Sequence, residues 1–184
     1  MAIDWCGELA EQMDFYWQHL FRPRLDGLTD DEFLWEPVDG CWSVRRNTSG
    51  RWAPDGSWPP PTPPPVTTIA WRMAHIGGGV LGIRASNQFG DGSFTEATAD
   101  WPGSAAEGIA FVERAYRAWI DGVRALREEG LTRPCGSSEG PYARRPMATL
   151  VLHINREVFH HGAEVALLRD LYRAGVAGQG VSDR

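Results

Sequence analysis

The chain has 184 residues, of which 42% are hydrophobic and 23% charged. These are ordinary values for one globular domain and exclude a disordered or collagen-like chain. Its 18 basic residues, all arginine, against 24 acidic ones give a net charge of −6. That balance lacks the basic footprint of a nucleic-acid binder, and the absence of lysine excludes Schiff-base, P-loop and general-base lysines.

In chain order, the first predicted helix runs from about Asp4 to about Phe21, with Leu9, Met13, Tyr16, Trp17 and Leu20 at helical spacing. Pro23 is expected to kink or end it. Thr29-Asp30-Asp31-Glu32 has the capping-box pattern and predicts a short helix before Pro37. Cys41 to Ser57 reads weakly as a small hairpin. Pro59-Pro60-Pro61-Thr62-Pro63-Pro64-Pro65 reads as a stiff surface strap, with an SH3-type ligand as the sharper and less favoured reading. Trp42, Trp52 and Trp58 are expected to pack this long connection onto the core.

Thr67 or Thr68 caps the second long helix, which extends to about Asn87 and is interrupted by Gly77-Gly78-Gly79. A glycine run inside a helix predicts close approach of another backbone or of a ligand. No strand precedes it and no GK[ST] follows, so it is not a phosphate loop. Ser104-x-x-Glu107 opens a third helix, expected to reach about Glu128 with Gly130 as its stop. Pro146 suits the first turn of a fourth, running to about Ala174, with Gly175 as its stop. The expected fold is all-α: a four-helix bundle over residues 1–175, a long Pro-rich connection between helices 1 and 2, and a flexible tail at 176–184.

Cys6, Cys41 and Cys135 form no CxxC pair, which excludes a cysteine zinc ribbon and a thioredoxin-type motif. With no signal peptide and no apolar run near ~20 residues, a cytoplasmic protein is expected, with neither membrane nor nucleic acid as partner. No G-x-S-x-G is present to support a serine triad.

The chemistry concentrates on the fourth helix, where His153, His160 and His161 fall within nine residues. At about 100° per residue, His153, Glu157, His160, His161 and Glu164 share one face roughly 100° wide. Leu150, Leu168 and Leu171 fall on the same face, so this stripe is expected to look into the core. A carboxylate there without a partner costs several kcal/mol, which a divalent cation would remove. Glu157 and His161 are neighbours at i and i+4, and His75 on the second helix can supply a third ligand from across the core. Simpler roles stand beside this one: His153 or His160 bonding a carbonyl, Glu157 pairing with an arginine, His19 as a packing or rim residue.

Arg156-Glu157-Val158-Phe159-His160-His161-Gly162-Ala163-Glu164 resembles the last-helix motif of the DinB superfamily, in its branch near the mycothiol-dependent maleylpyruvate isomerases. Trp71-Arg72-Met73-Ala74-His75-Ile76 is similar to that group's second-helix motif. Leu28-Thr29-Asp30-Asp31-Glu32-Phe33 and Cys41-Trp42-Ser43-Val44-Arg45 also resemble it. The resemblance spans about Leu9 to Tyr172 and implies a DinB-like metal-binding four-helix bundle. It implies His75, Glu157 and His161 as metal ligands, with zinc the first expectation and nickel or iron also suited to that set. It further implies a low-molecular-weight thiol, of mycothiol or bacillithiol type, and S-transfer or thiol-dependent isomerisation. Arg72 and Arg84 are the candidates for holding a carboxylate of the thiol or substrate. The isomerases carry a second, C-terminal domain, whereas here about ten residues follow the last helix, which argues against maleylpyruvate itself as substrate. The alternatives are a non-catalytic, stress-linked metal-binding bundle and a metal-dependent hydrolase. The expected partners are a small molecule and a second copy of the chain, as a homodimer.

Overall fold

The computed structural model describes residues 3–175. The tail expected at 176–184 lies outside the described residues. The fold is mostly helical, and the only sheet among the described residues has two short strands.

Local capping fixes where most helices begin. The Asp4 carboxylate accepts from the Gly7 N–H and starts α1, Trp5–Phe15. A wide π turn, Tyr16–Phe21, continues it, and a short 3-10 turn carrying Pro23, Arg22–Leu25, ends the run. The π turn holds an extra residue, so the buried sequence runs Met13, Trp17, Phe21, while Leu20 is exposed. Thr29 caps α2, Asp30–Leu34, through its hydroxyl. Glu32 does not close the capping box. It turns inward and meets Arg169 at 2.6 Å, with both side chains almost wholly buried.

The weakly signalled hairpin exists as β1, Val44–Arg46, antiparallel to β2, Trp52–Pro54. Backbone bonds from Trp42 to Val66 and from Thr68 to Trp42 sew this segment to the start of the next helix. Trp42 and Trp52 are half-buried, but Trp58 is 93% exposed and anchors nothing. Residues 59–64 are exposed with it.

Thr68 caps α3, Ile69–Ala74. A second π segment follows, His75–Gly82, and then α4, Ile83–Phe89. The glycine run permits close packing, as expected. A Cβ on Gly77 would stand 2.4 Å from the Phe111 ring and 3.4 Å from the Val112 Cα, and one on Gly78 would stand 2.5 Å from the Trp101 ring.

At the start of α5, Ala105–Ala125, the Ser104 hydroxyl accepts from the Glu107 N–H and the Glu107 carboxylate accepts from the Gly103 N–H. The expected continuation to Glu128 fails: Arg127 has φ +54°, which breaks the helix there. Gly130 is therefore not the stop but lies inside a separate α6, Arg127–Thr132, anchored by buried Leu131. Last comes α7, Met147–Arg173, with Pro146 just before its first turn and Gly175 beyond its end at φ +80°. The runs 5–21, 69–89, 105–125 and 147–173 pack around one core containing Met13, Ile76, Trp119 and Val158.

The face of α7 that enters this core is not the one expected. Its buried positions are Met147, Leu150, Val151, Ile154, Asn155, Val158, His161, Gly162, Val165 and Arg169, so Leu150 is inside as expected. Measured from His153 at about 100° per residue, they centre near ~130°, while the ionisable stripe centres near ~30°. The stripe thus runs along the rim of the core, and His161 alone of its five members is buried. Leu171, expected inside, is 36% exposed.

Candidate metal centre

Two stretches far apart in sequence meet where α3 and its π segment pack on α7. His75 is the first residue of the π segment, and Glu157 and His161 sit one turn apart on α7. Ligand atoms of these three side chains lie within 4.8 Å of one another. The rings of His75 and His161 meet edge to face, with centroids 4.8 Å apart.

Each imidazole is held from behind. His75 stacks on Trp71, one turn earlier, with centroids 5.2 Å apart and planes within 13°. Trp71 is fixed in turn by its indole N–H, which donates to the Asp55 carbonyl at 2.7 Å. His161 Nδ1 lies 2.7 Å from Glu164 Oε2. With Nδ1 donating to that carboxylate, Nε2 carries the lone pair and faces Glu157, whose Oε2 is 3.4 Å away. A carboxylate behind a histidine is the usual partner that orients a metal-binding imidazole. Arg72 braces Glu164 with Nε at 2.9 Å from Oε2. That N–H is not aimed along a hydrogen bond, so the contact is an ion pair only.

The protonation chemistry suits a cation. Burial, reinforced by the nearby His161 and Arg72, lowers the His75 pKa from 6.5 to about 4. At neutral pH His75 is therefore an uncharged imidazole with a free lone pair, the form in which histidine binds metals. Two nitrogens and one carboxylate oxygen fit a three-ligand site with an open position.

The remaining ionisable residues divide clearly. His160, His161 and Glu164 form a second group that could hold a cation. That group lies on one helix, and His160 is exposed, so it offers less enclosure. His153 Nδ1 takes a 2.7 Å contact from Arg156, and His160 Nε2 lies 3.4 Å from Glu164; neither bonds a carbonyl. Arg156 reaches within 3.6 Å of Glu157 but is mostly exposed. His19 is exposed beside Phe15 and takes no part. Of the two arginines singled out by sequence, Arg72 is occupied with Glu164, and its Nη1 also lies 3.3 Å from His161 Nδ1. Arg84 bonds the Gly79 carbonyl and approaches Glu139 at 3.6 Å. Arg84 also lines a cleft of about 730 Å3 with Arg145, Arg156 and His153.

Sequence reading missed the supporting role of Glu164, although its i+3 spacing from His161 is the available signal. It also missed Arg145 and the tryptophans around His75, which only long-range packing brings in. Among the described residues, no helix is long and apolar enough to cross a membrane.

A family model described as the DinB superfamily matches residues 14–165. Searches of curated proteins and of solved structures give no match.

Proposed function

We propose that this chain, which belongs to the DinB superfamily, holds a divalent cation between His75, Glu157 and His161 and uses it with a low-molecular-weight thiol in S-transfer or thiol-dependent isomerisation. The observation that carries this reading is the convergence of those three side chains within 4.8 Å. Zinc is the first choice, with nickel and iron compatible with the same donors. A cation bound by three protein ligands supplies an open position at which a thiol, whose pKa is otherwise near ~8.5, loses its proton.

The protein's own side chains supply the rest. Glu164 and Arg72 fix the His161 ring, and Trp71 fixes His75, so both rings are held close to Glu157. Arg84, Arg145 and Arg156 line a cleft together with Glu139, which lies 3.6 Å from Arg84, and the guanidinium groups that this one carboxylate leaves free can bind a thiol's carboxylate. The same reading takes the four long helical runs as a four-helix bundle. It sets the chain nearest the mycothiol-dependent maleylpyruvate isomerase branch, because Arg156-Glu157 followed by His161 matches that ligand pattern.

Metal content separates the first half of this proposal from its absence. Protein purified without added metal should carry stoichiometric zinc, and Glu157→Ala and His161→Ala variants should lose it. Conjugation of mycothiol or bacillithiol to monochlorobimane tests the second half. Zinc binding without any thiol-dependent turnover would leave a hydrolase or a non-catalytic bundle and remove the transferase.

A further inference from the structure

A second cleft, of about 720 Å3, is lined in part by His75. Its lining carries Trp42, Trp71 and Trp101, with Trp58 at the rim. The ionised side chains lining it are the carboxylates Asp55 and Glu96; among the described residues no arginine lines it. It is thus the opposite in charge of the Arg84 cleft.

The indoles are brought there by separate devices. Trp42 is tied by its backbone to Val66 and Thr68, and its ring centroid lies 5.7 Å from that of Trp71. Trp71 is pinned through its N–H to Asp55. Trp101 lies against Gly78, where any side chain would displace it. Trp58 stands at the rim, 93% exposed. An indole left in water contributes no burial to folding, so folding gives no reason for a tryptophan at that position. A ligand seated in the cleft would cover it.

We propose that this cleft binds a planar aromatic cation as the substrate of the adjoining centre. Flat walls of indole favour a flat ring by stacking, and the negative faces of Trp42 and Trp101 attract positive charge, whereas Trp71 already stacks on His75 and carries the Arg72 guanidinium over its ring. Asp55 receives its two hydrogen bonds, from Ser43 N–H and Arg45, on Oδ2. Arg45 is shared with Glu36, so its charge does not cancel the cleft's. Glu96 makes no ion pair among the described residues. An anion would have to give up its water shell between two carboxylates, a cost nothing in the lining offsets. His75, one of the candidate ligands, and Gly79 both line this cleft, so a seated ring lies beside the candidate metal centre.

The role as substrate rests on the metal-centre reading, but the binding does not, so binding is what the experiment reads. The full chain, chelator-treated and zinc-loaded in parallel, is titrated at neutral pH with N-methylquinolinium, naphthamide and naphthoate, following tryptophan fluorescence and calorimetry. The cation should bind saturably and about tenfold more tightly than naphthoate, with naphthamide between them, whether or not zinc is present. Trp58→Ala and Glu96→Gln change exposed side chains and leave the fold intact. Each should weaken the cation by about threefold or more, and Glu96→Gln should also narrow its advantage over naphthoate. Naphthoate or naphthamide binding as tightly as the cation, or both variants binding it unchanged, overturns the proposal. A chain that takes the cation but no zinc upholds the cleft and sinks the metal centre; one that takes zinc but shows no cation preference does the reverse.

Discussion

Glu164 Oε2 stands 2.7 Å from His161 Nδ1, while Glu157 faces the ring's other nitrogen, Nε2. The contact selects the tautomer that leaves Nε2 free and stops the ring from turning. Glu164→Gln keeps the shape but removes the charge that favours this arrangement. Zinc affinity, measured by competition with a chromogenic chelator, should fall about 10- to 100-fold, with little change in thermal stability of the metal-free protein.

The His75 imidazole gives the fold a pH dependence of known sign. In the unfolded chain it takes a proton below about 6.5, and in the folded chain only below about 4. Its contribution to stability is therefore complete above the unfolded value and is lost as pH falls from about 6.5 toward 4. The loss amounts to up to about 3 kcal/mol. Urea denaturation of metal-free protein across that range should show this decline, and His75→Gln should flatten it.

Arg169 and Glu32 join α7 to α2 through two hydrogen bonds, of 2.6 and 2.9 Å, in an almost water-free setting. The guanidinium also donates to the backbone carbonyls of Arg24 and Asp26. Glu32→Ala leaves a buried positive charge without its partner, so stability should drop by about 3–5 kcal/mol in urea denaturation. The pair lies two turns beyond His161, and zinc bound per folded chain should not change.

Neighbouring glycines should respond in opposite directions. A Cβ on Gly77 would collide with Phe111, and Gly77→Ala should cost about 1–3 kcal/mol through overpacking. A Cβ on Gly79 meets nothing nearer than His75 Nδ1 at 3.6 Å. Gly79→Ala should therefore gain up to about 1 kcal/mol from helix propensity. Thermal unfolding of the two single variants beside the unmodified protein decides this.

What the sequence made readable was mainly local. Caps at Thr29, Thr68 and Ser104 use a side chain and an N–H three residues apart, and each hydroxyl cap forms, although neither capping box closes. The pairing of Glu157 with His161 is likewise one helical turn. The orientation of α7 was not readable, because the ionisable stripe and the apolar stripe overlap on the wheel at Leu150 and Leu168. Only the packing of α3 against α7 decides between them. Arg127 carries no residue signal for its left-handed conformation, so the end of α5 was misplaced. The tryptophan cleft joins residues from Trp42 to Trp101 through backbone pairing and a glycine contact that no periodicity reports. The partner of Arg169 hid in an apparent capping box, since Glu32 serves equally well in either pattern until the third dimension is known.

The wide turn at His75–Gly82 holds one residue more than an α turn needs. A related chain that lost a single residue there could close the segment into ordinary helix without unravelling it. His75, at the upstream end, would keep its address, while Arg84 and the helix after it would swing by about 100°. Single-residue length variation would then re-furnish one side of the centre and leave the three candidate ligands untouched, a direct way for kindred chains to diverge in what they accept.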